Sequence, residues 1–468
     1  MHLLLTHGYF IQEDPKELQI MKPYPPLGLL YISSYLKSKG HSVELFDSTF
    51  HLRQDLISRL QVGSPGILGI YSNLLTRSTV LEIIRAAKES GWKVVLGGPE
   101  PSNYVAEYLS SGADVIVNGE GEITLEELIP VLVSGNSGDL CRVNGIAFRD
   151  ETGSICETPP RPLIPNIDSL PWPDRESIDI SRYMDAWRRH HGTGSVSLIA
   201  ARGCAYHCRW CSHSVYGKTH RRRRPDCVAD EVEWLLTRYH PDMLWMADDV
   251  FTVHPGWLFK YADEIKRRNL LIPFECITRA DRMNEKVADA LAEIRCFRVW
   301  IGSESGSQPI LDAMERGVTV EEVQQAVHLC KERGIQTGMF LMWGYLGEEL
   351  ADIEATIEHV KRSNPDIFLT TVAYPIKGTD YFSDASPSLA PDKKWQQCTD
   401  RDYQVPGQHS RQYYQYADQL LQSEVALHRL QNSPAGDFPG SSTELVRLRN
   451  RSLQAREGLQ HVRLEVET

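Results

Sequence analysis

Short apolar runs alternating with amphipathic stretches divide this chain into two series, and that alternation narrows its fold more than any other feature. The first series has runs at 3–5, 43–46, 67–71, 93–96 and 115–117. The stretch at 26–39 carries Leu29, Leu30, Ile32 and Leu36 at helical spacing and stops at Gly40, a residue suited to a helix C-terminus. Five strands separated by helices predict an α/β fold with a doubly wound parallel sheet. The second series has runs at 195–200, 243–246, 273–277, 298–301, 336–342 and 367–371, with helical stretches such as 226–239, 255–268 and 320–333 between them. Six strand–helix units predict a partial (β/α)6 barrel. Both architectures hold ligands at the carboxyl ends of their strands.

With 468 residues the chain exceeds one ordinary core. The patterns divide it into a sheet domain at 1–140, a connector at 141–190, a barrel at 191–384 and a small, mostly helical C-terminal segment at 385–468. In the connector, Gly145-Ile146-Ala147-Phe148 and Ser154-Ile155 flank a turn and predict a hairpin, and Pro159, Pro160, Pro162, Pro171 and Pro173 follow in extended sequence. The apolar and charged fractions, 41% and 24%, are those of a soluble globular protein. A net charge of −12 argues against general nucleic-acid binding. The first residues lack the basic start of a signal peptide, and no apolar run is long enough to span a membrane. Ten cysteines, scattered apart from one triplet, do not form a disulfide framework, so a reducing, cytoplasmic setting is expected.

The triplet is Cys204, Cys208 and Cys211, in Ala201-Arg202-Gly203-Cys204-Ala205-Tyr206-His207-Cys208-Arg209-Trp210-Cys211. Thiolates hold iron–sulfur clusters. Three local cysteines leave one iron of a four-iron cubane without a protein ligand, and an open metal position serves catalysis. A structural zinc site completed by His207 or His213 is the alternative that spacing leaves open. The loop follows a barrel strand, which agrees with a catalytic role. Other strand ends are also polar or glycine-rich: Ser72-Asn73-Leu74, Gly97-Gly98-Pro99-Glu100, Asn118-Gly119-Glu120-Gly121-Glu122, Asp248-Asp249, Thr278-Arg279 and Gly302-Ser303-Glu304-Ser305-Gly306. Paired glycines permit close backbone approach by a bulky ligand. The run Arg221-Arg222-Arg223-Arg224 reads as a solvated face, or as a binder of an acidic group or an acidic electron carrier.

The cysteine loop, with Trp210 before its last cysteine, resembles the cluster loop of the radical S-adenosylmethionine (SAM) enzymes. That resemblance implies a [4Fe–4S] cluster on Cys204, Cys208 and Cys211. Its open iron binds SAM, which is cleaved to a 5′-deoxyadenosyl radical with an electron from a flavodoxin- or ferredoxin-type donor. Trp210 is then expected near the adenine, Asp248 and Asp249 at the methionine amino group, Arg279 at its carboxylate, and Ser303 and Glu304 near the ribose. The segments Gly344-Tyr345-Leu346-Gly347-Glu348 and Pro375-Ile376-Lys377-Gly378-Thr379 are similar to family turns, with Leu346 and Lys377 where proline is usual.

The N-terminal series resembles the cobalamin-binding domain, so the chain is similar to the cobalamin-dependent radical SAM enzymes. The resemblance rests on Tyr24, Pro26 and Gly28 in Tyr24-Pro25-Pro26-Leu27-Gly28, on Ser72 and Leu74, on Gly97, Gly98 and Pro99, and on Gly119 and Glu120. These are expected to line the slot for the nucleotide tail. The family's Asp-x-His-x-x-Gly is replaced by Asp47-Ser48-Thr49-Phe50-His51-Leu52, with Thr49 in the histidine position. A threonine hydroxyl is a poor cobalt ligand, so no protein imidazole is expected on cobalt. The family's last segment often closes the substrate side of the barrel, and 385–468 is expected to do so. Methyl transfer from methylcobalamin to an unactivated carbon, or phosphorus, of a small metabolite or natural-product or lipid intermediate is the first expectation. A non-methylating oxidative cyclase is the second. A cobalamin-binding sensor is a third, which the missing histidine and the attached barrel disfavour.

Overall fold

The computed structural model describes residues 2–389, 393–432 and 441–467. The first sheet contains β1 (Leu3–His7), β2 (Val43–Phe46), β3 (Ile67–Tyr71), β4 (Lys93–Gly97), β5 (Val115–Val117), β6 (Ile146–Arg149) and β7 (Ile155–Glu157). Their spatial order is β2-β1-β3-β4-β5-β6-β7, and the first five are parallel. Successive side chains enter opposite cores: Leu4, Leu68, Val94 and Leu96 face one, and Leu3, Leu5, Val95 and Val117 the other. This period of two, buried on both faces, is why these strands read as continuous apolar runs. Each such leucine or valine contributes about 1.5–3 kcal/mol on burial.

The connector's hairpin extends this sheet. β6 pairs antiparallel with β5, placing Ile146 and Phe148 in the second core. The exposed edge of β5 is thereby covered. Beyond it the proline-rich chain lies along the helix Leu27–Ser38, where the Asp174 amide donates to the Leu30 carbonyl and the Ser33 and Lys37 side chains donate to the Asp174 carboxylate.

The second sheet runs β15-β14-β13-β12-β11-β8, all parallel: β8 (Ser195–Leu198), β11 (Met243–Met246), β12 (Phe274–Thr278), β13 (Cys296–Glu304), β14 (Gln336–Trp343) and β15 (Ile367–Val372). Sequential neighbours and an unpaired edge at each end make it a six-strand partial barrel. Val196, Leu244, Met246, Val299, Ile301, Met339 and Leu341 point outward into the helical layer. The helix Arg411–Asn432 belongs to that layer. Its Tyr413, Ala417, Leu420 and Leu421 share a core with Ile353, Ile357 and Val360 of Leu350–Ser363, and Ser441–Glu467 packs on it. These two helices line the outer wall of the barrel, and just before the first of them Gln408 donates to the Gly344 and Ala373 carbonyls at the ends of β14 and β15.

The stretch between barrel and helices returns to the first sheet. Arg77, 1% exposed, donates from Nε to Glu100 at 2.5 Å, from Nη2 to Asp400 at 2.8 Å and from Nη1 to the Cys398 carbonyl at 2.7 Å. Its guanidinium lies over the Tyr104 and Trp395 rings.

Candidate functional site

The cysteine loop begins where β8 bends into β9 (Ala201–Arg202). β9 pairs antiparallel with β10 (Arg221–Arg222), which closes the loop at its base. Gly203 adopts φ +79°, and a Cβ there would lie 2.2 Å from the Thr219 carbonyl, so only glycine fits. Asp248 holds the bend from below. Its Oδ1 accepts the Ala200 and Ala201 amides at 2.7 and 3.1 Å, and its Oδ2 accepts Arg222 Nη2 at 2.6 Å. Burial raises its pKa, and Arg222 opposes that rise. Both oxygens of Asp248 are thus spent on the loop base rather than turned towards a methionine amino group. Asp249, whose pKa burial also raises, faces the large cavity instead.

Two guanidinium groups reach the buried Cys208 sulfur: Arg316 Nη1 at 3.7 Å and Arg279 Nη1 at 3.9 Å. Both donate towards that sulfur and place positive charge beside it. Arg279 also donates from Nε to Asp281 and from Nη2 to the Arg316 and Gly317 carbonyls, and it stacks on Tyr206 at 3.6 Å. Its fork is committed to holding the loop. Arg316, which sequence reasoning did not single out, donates from Nη2 to the Gly302 carbonyl, with Nε 3.7 Å from Glu304. Glu304 sits at a register shift in β13 with φ +62°, and burial raises its carboxyl pKa against the pull of Arg316 and Arg279. The Ser303 hydroxyl pairs with His359 Nε2 at 3.0 Å inside the core. Burial lowers that imidazole to about 4, so it stays neutral. Trp210 packs against a buried cluster that includes Met342, Tyr345 and Tyr381.

A cavity of about 500 Å³ opens between the carboxyl ends of the first sheet and the cysteine loop. One wall is Pro26, Gly28, Gly97, Gly98, Pro99, Gly119 and Glu120; the other is Gly203, Asp249 and residues 212–217. Gly98 has φ +108°, and a Cβ there would be 2.4 Å from the Ser72 carbonyl. A mostly apolar slot floored by glycine backbone fits the flat base and sugar of a nucleotide tail. Among the described residues no three His, Cys, Asp or Glu side chains are gathered as a ready ion site. The fit for a cluster rests on the three thiols of one loop and the two cations at Cys208.

Three residues expected in the slot lie elsewhere. The Ser72 hydroxyl is buried against Glu100 and Tyr108. Leu74 is partly exposed beyond the cavity wall. Tyr24 packs against Trp187 and against Trp245 of β11, in the barrel. Glu120 does line the slot, but its carboxylate accepts from Arg202, Arg221 and the Ile164 amide, and these hold its pKa down against burial. Thr49 is 2% exposed and its hydroxyl donates to that of Tyr183, which in turn donates to Asp47. His7 pairs with Asp47, and neither His7 nor His51 lines the cavity. His213 does, and among the described residues its buried Nε2 has no hydrogen-bond partner. Its position two residues after Cys211 was the available clue.

The arginine run is not a solvated face. Arg221 pairs with Glu120 and Arg222 with Asp248, and the buried Arg223 pairs with Glu231. Only Arg224 has a mostly exposed side chain, 67%. Pairing of β10 with β9 turns the first three inward, where carboxylates neutralise them, so the run does not form a basic docking patch.

The Radical SAM superfamily profile matches residues 198–360, and the B12 binding domain profile matches 19–129. An uncharacterized methyltransferase of Pyrococcus horikoshii is 31% identical over 365 residues, covering 76% of this chain and 77% of the relative. The anaerobic magnesium-protoporphyrin IX monomethyl ester cyclase of Rubrivivax gelatinosus is 26% identical, covering 78% and 67%. Among solved structures, the radical SAM methyltransferase TsrM of Kitasatospora setae, with cobalamin and a [4Fe–4S] cluster bound, shares the fold at TM-score 0.70 and 20% identity, covering 97% and 99% of the two chains. The cobalamin-dependent radical SAM enzyme OxsB does so at TM-score 0.73 and 18% identity, covering 100% and 81%.

Proposed function

The chain belongs to the cobalamin-binding radical SAM enzyme family, with a [4Fe–4S] cluster, SAM and cobalamin as its cofactors, and from that premise we propose that it transfers a methyl group to an unactivated carbon, or phosphorus, of a small molecule. One observation carries the reading: a single cavity has the glycine strand ends of the first sheet as one wall and the cysteine loop as the other. When bound, the cluster supplies the electron that opens SAM, and cobalamin carries the methyl group. Cys204, Cys208 and Cys211 would hold the cluster, and Arg279 and Arg316 place positive charge beside Cys208. Asp249 and Glu304 are the carboxylates left to meet the polar groups of SAM. Arg202 binds Glu120 and Glu122 across the seam, which fixes the two walls of the cavity relative to each other. The protein's part is orientation and exclusion of water.

The relative at 31% identity is named a methyltransferase, as is the cytidylyl-2-hydroxyethylphosphonate methyltransferase of Streptomyces wedmorensis at 24%. A second reading, an oxidative cyclase, draws on the ester cyclases at 26% and 28% identity. Reduction by a flavodoxin- or ferredoxin-type donor is part of either proposal. Among the described residues no helix is long and apolar enough to cross a membrane. The test is anaerobic reconstitution with iron, sulfide, cobalamin and SAM, reduction with dithionite in the presence of candidate small-molecule substrates, and mass spectrometry of the products. S-adenosylhomocysteine together with 5′-deoxyadenosine supports methyl transfer. 5′-Deoxyadenosine alone supports the second reading. One zinc ion, no acid-labile sulfide and intact SAM would defeat both.

A further inference from the structure

The inner face of the barrel bears on what this site accepts. Strand alternation assigns it. The outward residues of β11 to β15 are in the helical core, so Trp245, Ile277, Trp300, Phe340, Leu369 and Thr371 face the lumen. The Trp300 and Phe340 rings are stacked, with centroids 5.2 Å apart and planes at 14°. A Cβ on Gly338 would stand 2.3 Å from the Trp300 ring, so this glycine is what lets the indole lie flat across β14. On the β8 side Tyr24 packs on Trp245, with ring centroids 6.2 Å apart. On the β15 side the lumen is open: Leu369 is 50% exposed, and Thr371 beside it is exposed as well.

Charge in this lumen is already matched. Glu275, 3% exposed, accepts from Arg298 Nη1 at 3.2 Å and from Trp300 Nε1 at 2.9 Å. Arg298 also donates to Gln336 at 2.7 Å. The pair therefore offers no spare cation to a phosphate or carboxylate, and an anionic ligand brought beside Glu275 would meet like charge and lose water.

We infer that the substrate of this site is a non-anionic, largely apolar molecule with a flat face, admitted at the β15 edge and laid against the partly exposed Phe340 ring, which the buried Trp300 indole backs. The inference rests on the radical SAM reading above and names the substrate class for it. A flat apolar face gains area burial and offset stacking there, whereas an anionic group gains no partner.

Two probes with one ring system test it: 1-pyrenemethanol, neutral, and 1-pyrenesulfonate, anionic. Equilibrium dialysis is run on the cobalamin- and cluster-loaded enzyme, so that the large cavity is filled. Saturable binding of pyrenemethanol is expected, with pyrenesulfonate weaker by about tenfold or more. Gly338→Ala displaces the indole and Leu369→Asp charges the entrance; each should weaken pyrenemethanol by about tenfold. Leu369 is half-exposed, so its variant tests the site even if Gly338→Ala fails to fold. Val62→Asp, at a position 89% exposed on another lobe, should change nothing. Equal binding of the two probes, or indifference to Leu369→Asp, overturns the inference. Wild-type SAM cleavage is measured alongside. Cleavage without lumen binding rejects the substrate class alone, while absence of cleavage rejects the functional reading on which it rests.

Discussion

Arg202 Nη1 donates to Glu120 Oε1 at 2.7 Å, joining the strand that leads into the cysteine loop to the end of β5 in the other sheet. Its Nη2 reaches Glu122 at 2.5 Å, and all three side chains are at most 5% exposed. Removing one partner from such a group leaves charge stranded in a dry seam. Arg202→Met is expected to destabilise the protein by about 3–5 kcal/mol, read as a lower urea midpoint. Adding Glu122→Leu should restore part of that loss, because one stranded carboxylate is then gone.

Gly97 offers a cleaner test of the cavity. It is not among the glycines with positive φ, and a Cβ there meets only Val117 at 3.9 Å. Gly97→Leu should therefore fold while filling the slot. Cobalamin, followed by its visible absorbance after gel filtration, is expected to be lost, with the melting temperature of the unloaded protein nearly unchanged.

Cys208→Ser removes the sulfur that Arg279 and Arg316 approach. Iron and acid-labile sulfide are expected to fall towards background after reconstitution, and 5′-deoxyadenosine formation to cease. Retained full iron with full SAM cleavage would show that Cys208 does not hold the cluster.

Glu348 predicts a pH dependence. It is 7% exposed, Oε2 accepts the Gly344 amide at 2.5 Å, and burial pushes the carboxyl up to about 8, with Asp352 adding and the amide opposing. Between the ordinary carboxylate range and about 8, the folded chain holds a proton that the unfolded chain has released. Its contribution is complete at low pH and is lost as pH rises through about 8. The slope for one proton is about 1.4 kcal/mol per pH unit. Glu348→Gln keeps an acceptor for Gly344 and should flatten the fall in thermal midpoint between about pH 5 and pH 8.

Local chemistry made some of this readable from sequence. The cysteine spacing, the glycines ending β4 and β5 and the alternating apolar runs are each fixed by what a neighbouring strand or ligand demands. Asp248, Arg279 and the arginine run were harder, because their partners are distant in sequence. Arg222 finds Asp248 26 residues on, and Arg202 finds Glu120 82 residues back. A charged residue at a strand end can face a ligand or brace a loop, and only the pairing tells which. Tyr24 shows the same limit: its segment lies beside the slot, while its ring enters the barrel. The hairpin was legible as a hairpin, but its docking on β5 depended on which edge stood open.

The three-way hold on Arg77 bears on how the molecule is made. Asp400 and the Cys398 carbonyl, which complete its shell, leave the ribosome more than 300 residues after it. Until they arrive this guanidinium has only Glu100 and the Tyr104 ring, in a place where an incompletely paired cation is costly. The lobe that is synthesised first is thus finished last, and nascent chains halted before residue 398 should yield a looser N-terminal half than the same residues within the completed protein.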